Sequence, residues 1–313
     1  MSRPVTLGMV NVLLKNQPLE ERRARLLQDV DAAGKLGCQI VLLPEFADHH
    51  VTHEAGLARQ KSIEELRRVV GLNWDSPFIE ALRKRAQQYG MAVIPNVLWT
   101  GESKPYNRAV VIGPEGTLLG HYDKTHLAPE EEHCVARGGR LKPITTPFGK
   151  LGLFICYDVN FPEIPRCYEL QGADLLLWTT MRQCETEDIL YGAVLPAVAY
   201  THKLPLAVAT YVTPNQRETR RPMTSAVYNA WGLQVAGGTF AEGVVAGSLD
   251  LDDVPLQRRA WGTPEWVRGC TYQQRQRRPD LYGSLTQELT GDAANPAAEP
   301  TVAVHPELLN PKL

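Results

Sequence analysis

Short apolar runs alternate with longer stretches of helical period along most of this chain. Residues 5–13 form the first apolar run and predict a strand. Residues 19–35 place Leu19, Ala24, Leu27, Val30 and Ala33 on roughly one face and meet Gly37, which predicts an amphipathic helix. Residues 40–43 predict a short buried strand, and Pro44 forces the chain out of it. A polar loop is expected next, then a helix over 77–89 closed by Gly90 and a strand over 92–98. Runs at 108–112 and 117–122 flank Gly113-Pro114-Glu115-Gly116, a hairpin signal. Strands at 151–155, 175–178 and 206–210 are separated by helical patterns at 162–171 and 189–203, and short strands with hairpin breaks fill 225–249.

Strands alternating with helices predict an α/β protein with a partly parallel sheet, and the late hairpins add an antiparallel part. No internal repeat of solenoid length is visible. Beyond about Leu285 the pattern fades into Gly291-Asp292-Ala293-Ala294-Asn295-Pro296, so one domain over 1–285 and an extended or flexible tail over 286–313 are expected. Val302, Val304, Leu308 and Leu309 would serve as apolar anchors if that tail packs as an arm on a neighbouring subunit.

Composition narrows the function classes. The 313 residues suffice for a substantial core, and a net charge of −2 gives no reason to expect nucleic acid or an anionic membrane as partner. Ser2-Arg3-Pro4 leads straight into the first strand, with no signal-peptide pattern, and no apolar stretch is long enough to span a bilayer. The six cysteines, Cys38, Cys134, Cys156, Cys167, Cys184 and Cys270, form no C-x-x-C pair, so free thiols and a cytoplasmic location are expected.

Three of the apolar runs end on residues with chemistry. Cys156 closes residues 151–155, and a strand–turn–helix there would give the thiol a helix N-terminus and leave the Tyr157 amide facing a developing oxyanion. Glu45 follows an apolar run and a proline, where partial desolvation suits a general base. Lys124 follows the run at 117–122. Each has a bland reading: an inert buried cysteine, a surface carboxylate, a solvated lysine. At strand ends of one α/β sheet they can converge on one crevice. A Cys–His pair through His126 is disfavoured because no cysteine-protease signature surrounds Cys156. His49, His50 and His53, with Cys134 or Cys184, lack the spacing of a metal site.

Pro44-Glu45-Phe46, Lys124-Thr125-His126-Leu127 and Cys156-Tyr157-Asp158 with Phe161-Pro162-Glu163 together resemble the motifs of the nitrilase superfamily of carbon–nitrogen hydrolases. Arg278-Pro279-Asp280-Leu281-Tyr282 is similar to that family's closing segment. The resemblance implies a four-layer α-β-β-α sandwich, a homodimer or larger homo-oligomer, and a Glu45–Lys124–Cys156 triad that needs neither metal nor organic cofactor. A second glutamate is implied shortly after the lysine; Glu130, Glu131 and Glu132 all qualify, and Glu132 fits the spacing to Gly139 best. One departure is the turn Ala136-Arg137-Gly138-Gly139, where many relatives carry an aromatic residue and Pro-Gly.

The resemblance also implies the reaction. Glu45 takes the Cys156 proton as the thiol attacks an amide carbonyl, and Lys124 and the Tyr157 amide hold the oxyanion. The ammonium is also expected to favour thiolate. Tyr157-Asp158 is similar to the amidase and carbamoylase branches rather than to true nitrilases, so the expected substrate is a small linear amide or N-carbamoyl compound. Asn160 stands where relatives that take carboxylate substrates often have arginine; Arg182 is an alternative source of that charge. Tyr157, Asn160, Thr180 and Met181 are the expected substrate contacts. The alternatives are nitrile hydrolysis, amide-forming acyl transfer on the same residues, or a binding protein that keeps the fold.

Overall fold

The computed structural model describes residues 2–181, 189–212, 224–238, 241–253 and 277–287. Arg182, Cys184, Cys270 and the tail beyond residue 287 lie outside the described residues. The chain divides into one unit, Met1–Trp266, and a second, Val267–Leu313. Described residues of the second unit form two short 3-10 turns, Pro279–Leu281 and Gly283–Thr286.

Within the first unit the elements run β1 (Pro4–Leu13), α1 (Leu19–Lys35), β2 (Ile40–Leu42), α2 (His53–Lys61), α3 (Ile63–Val70), α4 (Pro77–Tyr89), β3 (Ala92–Ile94), β4 (Asn96–Trp99), β5 (Tyr106–Ile112) and β6 (Leu118–Asp123). They continue with β7 (Ile144–Thr146), β8 (Gly149–Ile155), α5 (Glu163–Leu170), β9 (Leu175–Thr179), α6 (Leu195–His202), β10 (Leu206–Ala209), β11 (Tyr211–Val212), β12 (Ala226–Tyr228), β13 (Gln234–Gly237) and β14 (Gly243–Asp250). One sheet has eight strands in the order β11-β1-β2-β3-β5-β4, with β14 added on β1 and β6 on β5; the other has six, β13-β12-β10-β9-β8-β7.

The period-2 pattern explains the layering. Val5, Leu7 and Met9 of β1 face the space between the sheets, where they meet Leu151, Leu153 and Ile155 of β8 and Leu175 and Leu177 of β9. Val10 and Val12 turn the other way, onto Leu26, Val30 and Ala33 of α1 and Ile79, Leu82 and Ala86 of α4. On the far side, Phe154, Leu176 and Trp178 pack under Ile164 and Tyr168 of α5 and Leu195 and Ala199 of α6. The strands β1, β8 and β9 are buried on both faces, which is why they read as continuous apolar runs rather than alternations. The result is the α-β-β-α sandwich.

The details differ from the expectations in four places. The loop after Glu45 holds α2 and α3, capped by Thr52 and Ser62, whose side chains accept from Ala55 N and Glu65 N. The strand expected over 92–98 breaks at Pro95, which has no N–H for the ladder, into β3 and β4. The segment expected as a helix over 189–203 opens with a π-helical turn, Leu190–Val194, before α6. The late strands divide between the sheets: β12 and β13 extend the second, while β14 pairs antiparallel with residues 4–11 of β1 in the first.

Candidate active site

Three strands deliver the candidate residues to one place. Glu45 leaves β2 through Leu43 and Pro44, Lys124 follows β6 directly, and Cys156 follows β8. The first sheet supplies the two charged groups and the second supplies the thiol. Lys124 Nζ donates to Glu45 Oε1 at 3.0 Å, and the Glu45 carboxylate and Lys124 ammonium both act electrostatically on the Cys156 thiol. Glu45 and Lys124 are each about 1% exposed, so the ion pair is cut off from water.

The backbone is strained where these groups leave their strands. Phe46 and Cys156 have φ of 50° and 45°, two of the three non-glycine residues with positive φ among the described residues. Such conformations cost on the order of 1–3 kcal/mol and persist only where surrounding bonds hold them. Tyr211 Oη donates to the carbonyls of Glu45 and Phe46, both at 3.0 Å, and Phe46 N donates to Asn96 Oδ1 at 2.8 Å. At the thiol, Trp178 Nε1 donates to Cys156 O at 3.2 Å.

Asp158, wholly buried, ties the thiol to the lysine loop. Its Oδ2 accepts from Ile155 N at 2.9 Å and Tyr122 Oη at 2.8 Å; its Oδ1 accepts from His126 N at 3.0 Å and Thr125 Oγ1 at 3.2 Å. The His126 ring, whose Nδ1 also lies 3.0 Å from Asp158 Oδ1, stacks on Phe161 with centroids 3.7 Å apart. His126 is thus a brace of the loop.

The second glutamate beside the lysine is Glu131, not Glu132. Glu131 Oε2 accepts from Lys124 Nζ at 2.5 Å and from Ala128 N at 2.9 Å, and its side chain is only 13% exposed. Glu132 carries a side chain 48% exposed and pairs with Arg137. The chain folds into a tight turn here, with Glu131 N bonded to Ala128 O and Val135 N to Glu131 O. Neighbouring side chains on that turn point apart, and counting residues to Gly139 could not choose between them.

Electrostatics set the resting state of the thiol. Burial and the Glu45 carboxylate raise the Cys156 thiol well above the usual thiol range, against the opposing pull of Lys124 and a hydrogen bond with Thr180. The expected thiolate preference is therefore reversed, because burial and the Glu45 carboxylate outweigh the ammonium. The expected helix N-terminus is also missing from the thiol: Cys156–Asn160 is a 3-10 turn, and α5 starts only at Glu163. Burial would push Lys124 toward neutrality, but Glu45, Cys156 and Glu131 outweigh it and hold the ammonium charged, above its ordinary range.

Of the expected substrate contacts, Thr180 and Met181 lie at this cluster. Thr180 hydrogen-bonds the thiol and Met181 N donates to Glu45 Oε2 at 3.1 Å. Tyr157 and Asn160 are exposed on the turn after Cys156, where Asn160 Nδ2 donates to Tyr157 O at 3.0 Å. The histidines after Glu45 are committed elsewhere: His49 Nδ1 lies 2.7 Å from buried Asp48, and the His50 ring stands edge-on to Tyr211. Among the described residues no group of three or more His, Cys, Asp or Glu side chains could hold a metal ion. No helix among them is long and apolar enough to cross a membrane.

Two buried asparagines escaped the sequence reading. Asn107 Nδ2 donates to Glu45 Oε1 at 2.7 Å and to Glu131 Oε1 at 3.0 Å, and Asn96 Nδ2 donates to Asn107 Oδ1 at 3.0 Å. Their signal was available: each is a lone amide inside an apolar strand pattern, at Val-Ile-Pro-Asn-Val-Leu and Tyr-Asn-Arg-Ala-Val-Val.

Known proteins share this architecture. The N-carbamoylputrescine amidase of Solanum tuberosum is 26% identical over 286 residues, covering 85% of this chain and 89% of that protein. The deaminated glutathione amidase of Mus musculus is 30% identical over 203 residues, covering 61% of this chain and 59% of its own length. Among solved structures, a carbon–nitrogen hydrolase from Helicobacter pylori G27 superposes with a TM-score of 0.74 at 20% identity, over 91% of this chain and 99% of that one. A mutant amidase from Nesterenkonia sp. AN1, with the acetamide moiety of fluoroacetamide added covalently to its active-site cysteine, gives 0.67 at 20% identity over 90% and 95%. Residues 7–259 match the carbon–nitrogen hydrolase family as a whole. With the sandwich fold and the strand-end cluster, that match settles the family: this chain is a carbon–nitrogen hydrolase of the nitrilase superfamily.

Proposed function

We propose that the protein hydrolyses a small linear amide or N-carbamoyl compound through a thioester on Cys156. The observation that carries this reading is the buried Glu45–Lys124 ion pair, 3.0 Å apart, whose carboxylate and ammonium both act on the Cys156 thiol. The relatives that bear amidase names, one acting on N-carbamoylputrescine and one on deaminated glutathione, support the substrate class.

Because the resting group is a thiol, its proton must leave as the sulfur attacks. Glu45 accepts that proton while an S–C bond forms at the carbonyl carbon, and the carbonyl π electrons move onto oxygen. Lys124 and the Tyr157 amide face this oxyanion; one such donor is worth about 3–4 kcal/mol in the transition state. Collapse breaks the C–N bond, and Glu45 returns the proton to the departing nitrogen. Water then attacks the thioester as Glu45 takes its proton, the C–S bond breaks, and the thiol is restored with release of the acid. Glu131 takes the supporting role expected of Glu132, holding the ammonium together with Glu45.

Ammonia or amine release from a panel of linear amides, N-carbamoyl amines and nitriles tests the reading. Turnover of amides or carbamoyl compounds is expected, with loss of activity in a folded Cys156→Ala variant. Activity confined to nitriles, or unchanged in Cys156→Ala, contradicts it.

A further inference from the structure

The buried cluster at Glu45 holds more negative charge than its lysine can answer. Two carboxylates share one ammonium, with Lys124 Nζ 3.0 Å from Glu45 Oε1 and 2.5 Å from Glu131 Oε2. Backbone N–H groups supply part of the remaining demand, Met181 N to Glu45 Oε2 at 3.1 Å and Ala128 N to Glu131 Oε2 at 2.9 Å. One side chain faces both carboxylates at once. Asn107, wholly buried on β5, gives one hydrogen of its amide to Glu45 and the other to Glu131. Its backbone carbonyl accepts from Lys124 N at 2.9 Å, so the same residue also fixes where the lysine leaves β6.

An amide is useful here only if its NH2 end faces the carboxylates; the reversed orientation would set a third acceptor against them. A chain of hydrogen bonds decides this. The N–H of Phe46 can only donate, so Asn96 must present Oδ1 to it at 2.8 Å. That leaves Asn96 Nδ2 to donate to Asn107 Oδ1 at 3.0 Å, which turns Asn107 Nδ2 toward Glu45 and Glu131. The chain begins on the residue next to Glu45 and ends on the Glu45 carboxylate, so the strained turn at Phe46 and the side chain before it are held by one relay.

We propose that Asn107 is a positioning residue of the active site, oriented by Asn96, which holds Glu45 and Glu131 as acceptors against Lys124 so that Glu45 is ready to take the thiol proton. The inference rests on the reading of Glu45 as the base for Cys156. Asn107 touches neither substrate nor thiol in this arrangement and acts through the carboxylates. A hydrogen bond that favours the ionised carboxylate, once removed, leaves the acid easier to protonate.

The test compares the full-length protein with Asn107→Asp, which keeps the shape but replaces both donors with an acceptor, and with Asn96→Ala, which removes the orienting bond. The expected result for Asn107→Asp is a fall in kcat of about 10- to 100-fold, the size of one hydrogen bond to a charged group. KM should change little, and the acid limb of the kcat/KM profile should move to higher pH. Asn96→Ala should move both in the same direction by less, and it carries the test if Asn107→Asp does not fold. A second readout needs no turnover: the rate of Cys156 alkylation by iodoacetamide against pH, followed by intact mass, should show the same shift of its acid limb. A shift in alkylation without hydrolysis of any amide would sink the proposed substrate class and leave the role of Asn107 standing. Folded variants whose two pH profiles superpose on wild type, or whose loss lies only in KM or thermal stability, would overturn it.

Discussion

Lys124 shows how a single residue can be placed by its neighbours rather than by its own preference. A lysine ammonium loses several kcal/mol of hydration on burial, and two carboxylates at bonding distance restore it. Which glutamate completes the pair has a direct functional consequence. Glu131→Gln keeps the shape but removes one of the two carboxylates that hold Lys124, and kcat is expected to fall about 10- to 100-fold, the size of one hydrogen bond to a charged group. Glu132→Gln touches an exposed pair with Arg137 and should leave kcat within about twofold, as exposed ion pairs contribute little. Steady-state kinetics of the two variants, side by side, check the assignment; equal losses would show that the turn places both carboxylates in the site.

At the scale of elements, the strand ends were legible and the connections between them were not. The runs that lead to Glu45 and Cys156 are buried on both faces, so their apolar character and their abrupt stops survive in the sequence without any knowledge of partners. The helices α2 and α3 were missed because the polar stretch around them hid the short pattern Ile63, Leu66, Val70, although the Ser62-x-x-Glu65 cap was there to be read. Asn96 and Asn107 were missed for a related reason: their importance lies in which side chains they meet, Asn96 with Asn107 across β4 and β5 and Asn107 with Glu45 and Glu131, and such contacts are not local information. Glu131 was displaced by one residue because the turn after Lys124 is fixed by tertiary bonds. Gly138 N donates to Lys124 O at 2.8 Å, and a Cβ on Gly138 would come within 2.1 Å of Asp123 O. That close approach is the physical sense of the glycine at the Gly138-Gly139 turn. It presses the loop onto the strand end that bears the lysine.

For the whole molecule, the sandwich brings charged groups from one sheet against a thiol from the other, so the site exists only while both sheets are docked. Its stability should depend on pH through two histidines that folding holds neutral. Burial depresses His50 to about 3; burial, with Arg166 and Lys203, depresses His202 to about 3. In the unfolded chain both titrate near the ordinary histidine value of roughly 6.5. Below that value the unfolded state binds protons that the folded state refuses, so stability present at neutral pH is lost as pH falls from about 6.5 toward 3. At pH 5 the loss is about 2 kcal/mol per histidine, less for His50, whose side chain keeps some contact with solvent. Urea unfolding at pH 7 and pH 5 checks this; a pH-independent midpoint, or a slope unchanged in His202→Gln, would contradict it.

The central claim is that Cys156 carries the acyl group. Acid quenching of the protein during turnover of an amide substrate, followed by intact-mass measurement and peptide mapping, tests it most directly. The account predicts a mass increase equal to the acyl group, located on the peptide that contains Cys156. Steady turnover with that peptide unmodified and the acyl group attached at another residue would contradict it.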